Sequence, residues 1–432
     1  MCKSTLMELR EDGAIPSFCV ANPFVITAVL NHYLHKDVKH VLFEATSNQV
    51  NHLGGYTGMS PLEYKNMVLG LAKTMNFPLN KILFGGDHLG PLPFKNLKEE
   101  DAMREAERTV ESYVLAGYEK IHIDTSMLLG DEKVLSKTTV TKRGSRLILV
   151  AERAFNEYKK IFPSAIHPVY VIGSEVPPAG GKARDDKTLE ITSYNEVLEI
   201  LDSYKEEFKK KNLSHIWDYV LGVVIQPGVE FGNSEVDHFI SDNVDERIKE
   251  FRTEGICFEA HSTDYQSKAE LCELVSNNFV ILKVGPALTK SLTEALLKLD
   301  CLSSQLGVMS ISNKSFTSTL REAMLHQPKN WDKYYESDDD KVLLYSLLDR
   351  SRYYLSSPEV ELSIRTLLSS FGSRISEAVP AGLLRYYFPT QFQRLVWEEV
   401  SARDIVNDYI SCQIEDYDVA CKHTKGFDDE SC

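Results

Sequence analysis

An α/β chain built as a (β/α)8 TIM-type barrel, with an added C-terminal helical region, is predicted by three features of the sequence. Short apolar runs alternate with segments of helical periodicity, and a parallel crossover needs a dozen or more residues, usually a helix. Eight such units fit within residues 1–310 of the 432, a span that suits one barrel. Most of the runs end in an acid, an amide, a histidine or a lysine, and strand ends that converge on one rim are how a parallel barrel builds a site. A doubly wound open sheet is the competing arrangement. The first βα turn, Ala21-Asn22-Pro23, lacks the GxGxxG of a dinucleotide fold, which favours the barrel.

The eight strands are expected at Ile15–Ala21, His40–Glu44, Lys81–Gly86, Lys120–Asp124, Pro168–Ser174, Tyr219–Gln226, Gly255–Ala260 and Phe279–Val284. Each is a short apolar run bounded by turn residues. Helices are expected between them at Pro61–Met75, Asp101–Ala116, Ser145–Ile161, Thr192–Lys211, Val236–Arg252, Asp264–Ser276 and Leu288–Leu302, where apolar residues recur three and four apart. Ser60 is placed to cap the first of these, with Pro61 in its opening turn.

After residue 310 the pattern changes, and residues 311–432 read as a helical region packed on the barrel. Lys329–Tyr335 is aromatic and basic, and Glu336–Lys341 is acidic. Val342–Tyr354, Pro358–Phe371 and Leu383–Ile405 carry helical patterns, with Pro380 and Pro389 as breaks. The polar tail from Lys422 to Cys432 is expected to fray.

Composition narrows the function classes. A net charge of −15 argues against nucleic acid or an anionic membrane as the main partner. No apolar run approaches the length of a membrane span, and the N-terminus has no signal-peptide core, so a cytoplasmic location is expected. The eight cysteines are scattered with no CxxC pair, so neither a disulfide framework nor a cysteine-based zinc site is expected. No GxxxxGK(S/T) loop is present, and Gly180-Gly181-Lys182-Ala183 lacks its spacing, so no nucleotide cofactor is expected.

The strand ends supply the candidate chemistry. Strand two ends in Glu44 and opens a polar, glycine-containing loop with Asn48, Gln49 and Asn51, a candidate for substrate contact. Strand three exits through Gly85-Gly86 into Asp87 and His88, an acid and an imidazole suited to metal binding or proton transfer. Strand four gives His122 and Asp124 on one face, followed by Ser126. His122 lies deeper and reads as a satisfied core histidine, whereas a buried Asp124 needs a partner.

Glu175, Gln226 and His261 follow strands five, six and seven, and with His88 they would offer mixed nitrogen and oxygen ligands for a divalent zinc or manganese ion. Lys283 on strand eight has three readings. It binds a phosphate or oxyanion, it forms a Schiff base, or it pairs with Glu259 or Asp124.

Taken together, EATSNQVNHLGGYTGMSP, FGGDHLGP, AGYEKIHIDTS, IGSEVPPAGG, VVIQPGVEF, FEAHSTDYQ and LKVGPALT resemble the signature segments of one family. It is the non-catalytic, Z-type subunit family of class II D-tagatose-1,6-bisphosphate aldolase, and DRSRYYL and YYFPTQFQRL extend the resemblance into the C-terminal region. The resemblance implies a TIM-type barrel with an added helical region. In its terms His88 and His261 are metal ligands and Asp87 the acid/base. The third aldolase histidine has no evident counterpart, because Gln226 occupies its region. A subunit that stabilises a separate catalytic aldolase chain follows, within an oligomer acting on a ketose phosphate. A second implication comes from family members regarded as tagatose or tagatose 6-phosphate 4-epimerases. These need a metal, an acid/base such as Asp87 or Glu44, and a closed pocket, for which the Asn48–Gly58 loop is the candidate.

Overall fold

In the computed structural model of the chain, residues 4–11, 13–173, 189–307 and 314–422 are described. Strand β1 (Ile15–Cys19) leads into helix α1 (Pro23–Tyr33), and β2 (Val41–Thr46) into α2 (Pro61–Thr74). Next come β3 (Ile82–Leu89) with α3 (Glu99–Leu115), β4 (Lys120–Ile123) with α4 (Lys137–Ile161), and β5 (Val169–Ile172) with α5 (Tyr194–Lys210). After β6 (Val220–Val224) stands a small hairpin, β7 (Glu230–Phe231) and β8 (Val236–Asp237). Then β9 (Cys257–Ala260) leads into α6 (Lys268–Ser276), and β10 (Phe279–Val284) into α7 (Pro286–Gln305).

The eight long strands close into a parallel barrel in the order β1-β10-β9-β6-β5-β4-β3-β2. Buried on both faces, they read as continuous apolar runs rather than alternating ones. Ser60 caps α2 with a full capping box to Glu63.

The two-residue period of the strands sorts the barrel interior into layers. Ile15, Leu42, Leu83, Cys257 and Ile281 form an apolar lower layer, closed from below by Leu6 and Met7 of the 3-10 turn Thr5–Arg10. Two residues further along the same strands stand Ser17, Glu44, Gly85, Glu259 and Lys283. Register supports the layering, since Ser17 pairs with Lys283, and Glu44 with Gly85. The barrel is therefore oily below and charged above.

The structure departs from these expectations at several points. No helix is expected between the first two strands, yet α1 is there. Its residues are buried nearly all round, which erases amphipathic periodicity, because helix α14 (Ala402–Lys422) covers its outer side. Val236–Arg252, expected to be helical, instead forms β8 and two 3-10 turns, Ser241–Asn243 and Glu246–Arg252. Val236 pairs with Phe231, and the Asp245 side chain accepts from Arg247 N at 3.1 Å, so local polar bonds compete with the helix. Strand three does not end at Gly86 but runs on through Asp87 and His88 to Leu89. Finally, Cys272 is disulfide-bonded, against the expectation for the cysteines, while Cys19, Cys257, Cys301, Cys412 and Cys421 are free.

The C-terminal chain forms α8 (Phe316–His326), α9 (Asp340–Leu343), α10 (Pro358–Ser370), α11 (Ile375–Ala378), α12 (Ala381–Tyr387), α13 (Phe392–Trp397) and α14. The expected helix Val342–Tyr354 is interrupted at Asp349, whose φ of +43° is left-handed, and Leu383–Ile405 is split among α12, α13 and α14. The buried residues of α8, α10 and α14 belong to the same apolar cluster as the barrel's outer faces. Helix α14 packs on α1, α6 and α7, and its Tyr417 hydroxyl donates to Thr263 O at 2.7 Å. No helix among the described residues is long and apolar enough to cross a membrane.

Candidate active site

The GGDH segment gains its shape from two close approaches. A Cβ on Gly85 would stand 2.7 Å from Glu44 Cγ, so only glycine leaves room for that carboxylate inside the barrel. The β3–β4 register then slips between Gly86 and Leu89, with His88 at a φ of +47°. Asp87 and His88 thus sit on a bulge, a device that re-aims side chains at barrel rims. His88 N donates to His122 Nδ1 across the slip at 3.1 Å.

Beneath this bulge lies a closed ionic cluster. Lys120 Nζ stands 2.7 Å from Glu44 Oε1 and 2.5 Å from Glu259 Oε2. Lys283 Nζ contacts Glu44 Oε2 at 3.3 Å, Glu259 Oε1 at 3.4 Å, and Asp87 Oδ1. Burial opposes the charges of Lys120, Lys283, Asp87 and Glu259, and the neighbours overrule it. Lys120 and Lys283 are held above the usual ammonium range by the carboxylates around them. Against their own burial, Asp87 is held well below the carboxylate range by His88, Lys283 and His122, and Glu259 by Lys120, Lys283 and His261.

Three imidazoles stand over the cluster. His122 Nδ1 lies 2.8 Å from Asp87 Oδ1 and its Nε2 lies 3.0 Å from Gly173 O. His88 Nδ1 is 2.9 Å from Asp87 Oδ2, and His261 Nε2 is 2.9 Å from Glu259 Oε1. The ring centres of His88, His122 and His261 are 4.6–5.2 Å apart. Burial lowers His88, but the Asp87 charge more than reverses this and raises it. Burial and the Lys283 charge push His261 well down, leaving a neutral ring, the form that ligates a metal. Asp87, His88, His122 and His261 each offer one donor atom, and these atoms all lie within 4.8 Å of one another. With three buried carboxylates facing two ammoniums, the donor set fits a divalent cation in charge and kind.

The cluster forms the floor of a cavity lined also by Cys19, Asn48, Gln49, Tyr56, Ser262, Asp264, Arg352 and Tyr353. Of the residues singled out from the sequence, Asp87, His88, His261, Lys283, Asn48 and Gln49 line it. Glu44 lies underneath, fully buried between Lys120 and Lys283. Of the two pairings considered for Lys283, Glu259 is present, whereas Asp124 instead accepts from Ser126 N and Oγ at 3.0 and 2.8 Å. Asn51 staples its own loop, donating to Ser47 O and accepting from Leu53 N and Gly55 N. Gln226 turns its amide oxygen to Gly228 N and Val229 N, at 2.7 and 2.9 Å. Glu175 lies outside the described residues.

Three contributors lie outside the residues that the sequence marks for the site. His122 is the third imidazole; its signal was the HID alternation, which aims it at the barrel axis with Asp124. Arg352 and Tyr353 come from the C-terminal region, where no local pattern points at the barrel mouth.

A (β/α)8 barrel with a histidine–carboxylate centre at the C-terminal ends of its strands defines a class of barrel protein with a metal-competent mouth. The family model for the D-tagatose-1,6-bisphosphate aldolase subunit GatZ/KbaZ-like proteins matches residues 5–422, and the chain belongs to that family. It is 36% identical over 417 residues to the D-tagatose-1,6-bisphosphate aldolase subunit GatZ of Klebsiella pneumoniae, covering 95% of this chain and 96% of the relative. Identity to the GatZ subunit of Escherichia coli SMS-3-5 is also 36%, over 95% and 97% of the two chains. Among solved structures it is similar to one titled a probable tagatose 6 phosphate kinase from Sinorhizobium meliloti 1021. That likeness has a TM-score of 0.83 and 35% identity, over 94% of this chain and all of the other.

Proposed function

We propose that the chain is the Z-type subunit of a class II D-tagatose-1,6-bisphosphate aldolase, a cytoplasmic protein that supports a separate catalytic chain in a hetero-oligomer. We include in this reading a divalent ion, zinc or manganese, held by His88, His122 and His261 with Asp87 beside them. The subunit role is supported by relatives of that name at 36% identity over 95% of the chain. The ion is supported by a single observation, the convergence of four donor atoms within 4.8 Å on a cavity floor.

A bound divalent ion would supply Lewis-acid polarisation of a ketose carbonyl. The chain's own residues do the rest. Asp87 fixes the orientation of His88, the Gly173 carbonyl accepts from His122 Nε2 and so leaves Nδ1 as that ring's donor atom, and Glu259 holds His261. Lys283 is not an open phosphate site in this arrangement, since three carboxylates share its charge. It helps to keep Asp87 and Glu259 ionised. Tyr56 of the Asn48–Gly58 loop and Tyr353 close together above, with ring centres 4.7 Å apart, and narrow the way out for a small molecule.

The test is co-expression with a catalytic class II aldolase subunit. The chain should co-purify with it and lengthen its half-life in cleavage of D-tagatose 1,6-bisphosphate; a catalytic subunit equally stable without the chain would refute the role. The intact donor set under a cavity also favours a second reading, 4-epimerisation of a ketose phosphate. Here the C3–C4 bond breaks, the aldehyde fragment turns over in the closed cavity, and the bond re-forms on its other face. Turnover of a hexulose 6-phosphate to its C4 epimer by the chain alone, abolished by a chelator, would establish that activity. A metal-replete chain without such turnover would discard it.

A further inference from the structure

The charges lining the cavity are not all compensated alike. Lys283 is shared by three carboxylates, but Arg352 has no carboxylate within ion-pairing distance among the described residues. Its Nη1 donates to the carbonyls of Leu348 and Asp349, the latter at 3.0 Å, and Nη2 to the Tyr353 hydroxyl at 3.3 Å. The guanidinium lies 4.7 Å from the Tyr353 ring centre. A guanidinium has five N–H donors, and on its Nε/Nη2 edge only one Nη2 N–H has an acceptor among the described residues, the Tyr353 hydroxyl at 3.3 Å. That edge is the fork that takes an oxyanion bidentately.

The segment bearing Arg352 is fixed in advance. Asp349 holds a left-handed φ of +43° because its buried carboxylate accepts from Thr289 Oγ1 and Ser351 Oγ, both at 2.5 Å. Tyr265 Oη bonds Leu347 O at 2.6 Å from the barrel side. A second donor lines the same cavity. Ser262 Oγ is buried, has no hydrogen-bond partner among the described residues, and rides on a backbone with a φ of +52°. An unpaired buried hydroxyl in a strained turn lining a cavity is the mark of a group kept for a ligand.

We propose that Arg352, with Ser262, forms the anion subsite of the cavity and reads the phosphate of a phosphorylated ketose, a task that Lys283 is too fully paired to perform. This rests on the ketose-phosphate reading above and assigns the phosphate to the C-terminal region rather than to a barrel strand. The specificity for phosphorylated over free sugar would therefore sit in residues 349–353.

Calorimetric titration of the full-length, metal-loaded chain tests it, with D-tagatose 1,6-bisphosphate, inorganic phosphate and free D-tagatose as probes. Arg352→Gln should weaken the bisphosphate and inorganic phosphate by about 10- to 100-fold, the range of a charged hydrogen-bonded contact, and leave free D-tagatose unchanged. Arg352→Lys keeps the charge without the fork and should recover only part of the loss. Ser262→Ala should cost about 3- to 10-fold on the same two probes. Equal phosphate affinity in wild type and Arg352→Gln overturns the proposal. So does a wild-type chain that binds neither phosphate probe, or a variant that loses free sugar to the same degree while its thermal unfolding is unchanged. Selective loss of the phosphate probes in a chain that leaves an aldolase partner's half-life untouched would refute the subunit role and retain the subsite. A stabilised partner with no phosphate selectivity would do the reverse.

Discussion

The inner wall of the barrel and the rim above it carry charge in opposite ways. Inside, Glu44, Asp87 and Glu259 share Lys120 and Lys283, with contacts of 2.5–3.4 Å to Glu44 and Glu259. On the rim, Arg352 is held by carbonyls and a tyrosine and faces no acid within pairing distance among the described residues. A self-compensated cluster has little attraction left for an anion; a guanidinium with no direct ion pair has more, even with the charges of Asp264 and Asp349 nearby. In the proposed reading the barrel strands supply the cation-binding centre, and the late chain the anion-binding one.

Breaking the inner balance should have the largest effect. Lys120 is fully buried between two carboxylates, so Lys120→Met leaves Glu44 and Glu259 with only the more distant Lys283, at 3.3 and 3.4 Å. A stability loss of about 3–5 kcal/mol is expected in urea titrations, the cost of orphaning a buried charge. A loss below about 1 kcal/mol would show that the cluster tolerates a missing ion, and the contrast with the rim would collapse.

A titration of Asp264 tests the region between the two. Burial pushes its carboxyl up to about 6, although it accepts from Gly285 N and Ala287 N at 3.0 and 2.7 Å and feels Arg352. Its folded value exceeds the ordinary 3.8, so between roughly pH 4 and pH 6 the folded chain binds more protons than the unfolded one. Stability contributed by this group therefore falls as pH rises through that window, by about 3 kcal/mol in total. Asp264→Asn removes this dependence, so the variant should gain on wild type between pH 4 and pH 7. A constant difference across that range would show an ordinary carboxyl at this position.

His122 sharpens the comparison from the metal side. His122→Ala should lower zinc or manganese content at least about tenfold after dialysis, by analogy with the loss of groups that orient or bind a metal. Unchanged metal content would return His122 to the role of a satisfied core histidine.

The barrel was legible because parallel strands covered by helices are apolar throughout, and the polar ends of those runs mark the rim. Glu44, Asp87, His88, His261 and Lys283 could be found that way. What could not be read is how they share charge. Nothing in the sequence says that Glu44 sits below the cavity between two lysines, because Lys120 opens its strand 76 residues away and meets Glu44 only through barrel closure. The same holds for His122, whose two hydrogen bonds reach β3 and the end of β5. Helix α1 was missed for another reason: it is buried nearly all round, and only a narrow stripe of Pro23, Thr27 and Asn31 reaches solvent to mark a period. Arg352 lies in a segment without regular structure beyond one 3-10 turn, positioned by Asp349, Tyr265 and Tyr335 rather than by a periodic pattern.

The smallest effect is expected where the two halves of the rim meet. Tyr56 and Tyr353 pack edge to face with ring centres 4.7 Å apart, and Tyr353 is flanked by Arg350 and Arg352, at 4.6 and 4.7 Å. Such an aromatic pair contributes about 0.5–1.5 kcal/mol beyond the area it buries. Tyr56→Ala should therefore shift global stability by little but release the Asn48–Gly58 loop, since Tyr56 is the loop's ring contact with the C-terminal segment. Amide exchange across residues 52–58 should quicken several-fold while the barrel strands keep their protection. Exchange in the loop at the wild-type rate would mean that the Asn51 and Thr57 hydrogen bonds alone hold it, and that the rim closes without the aromatic pair.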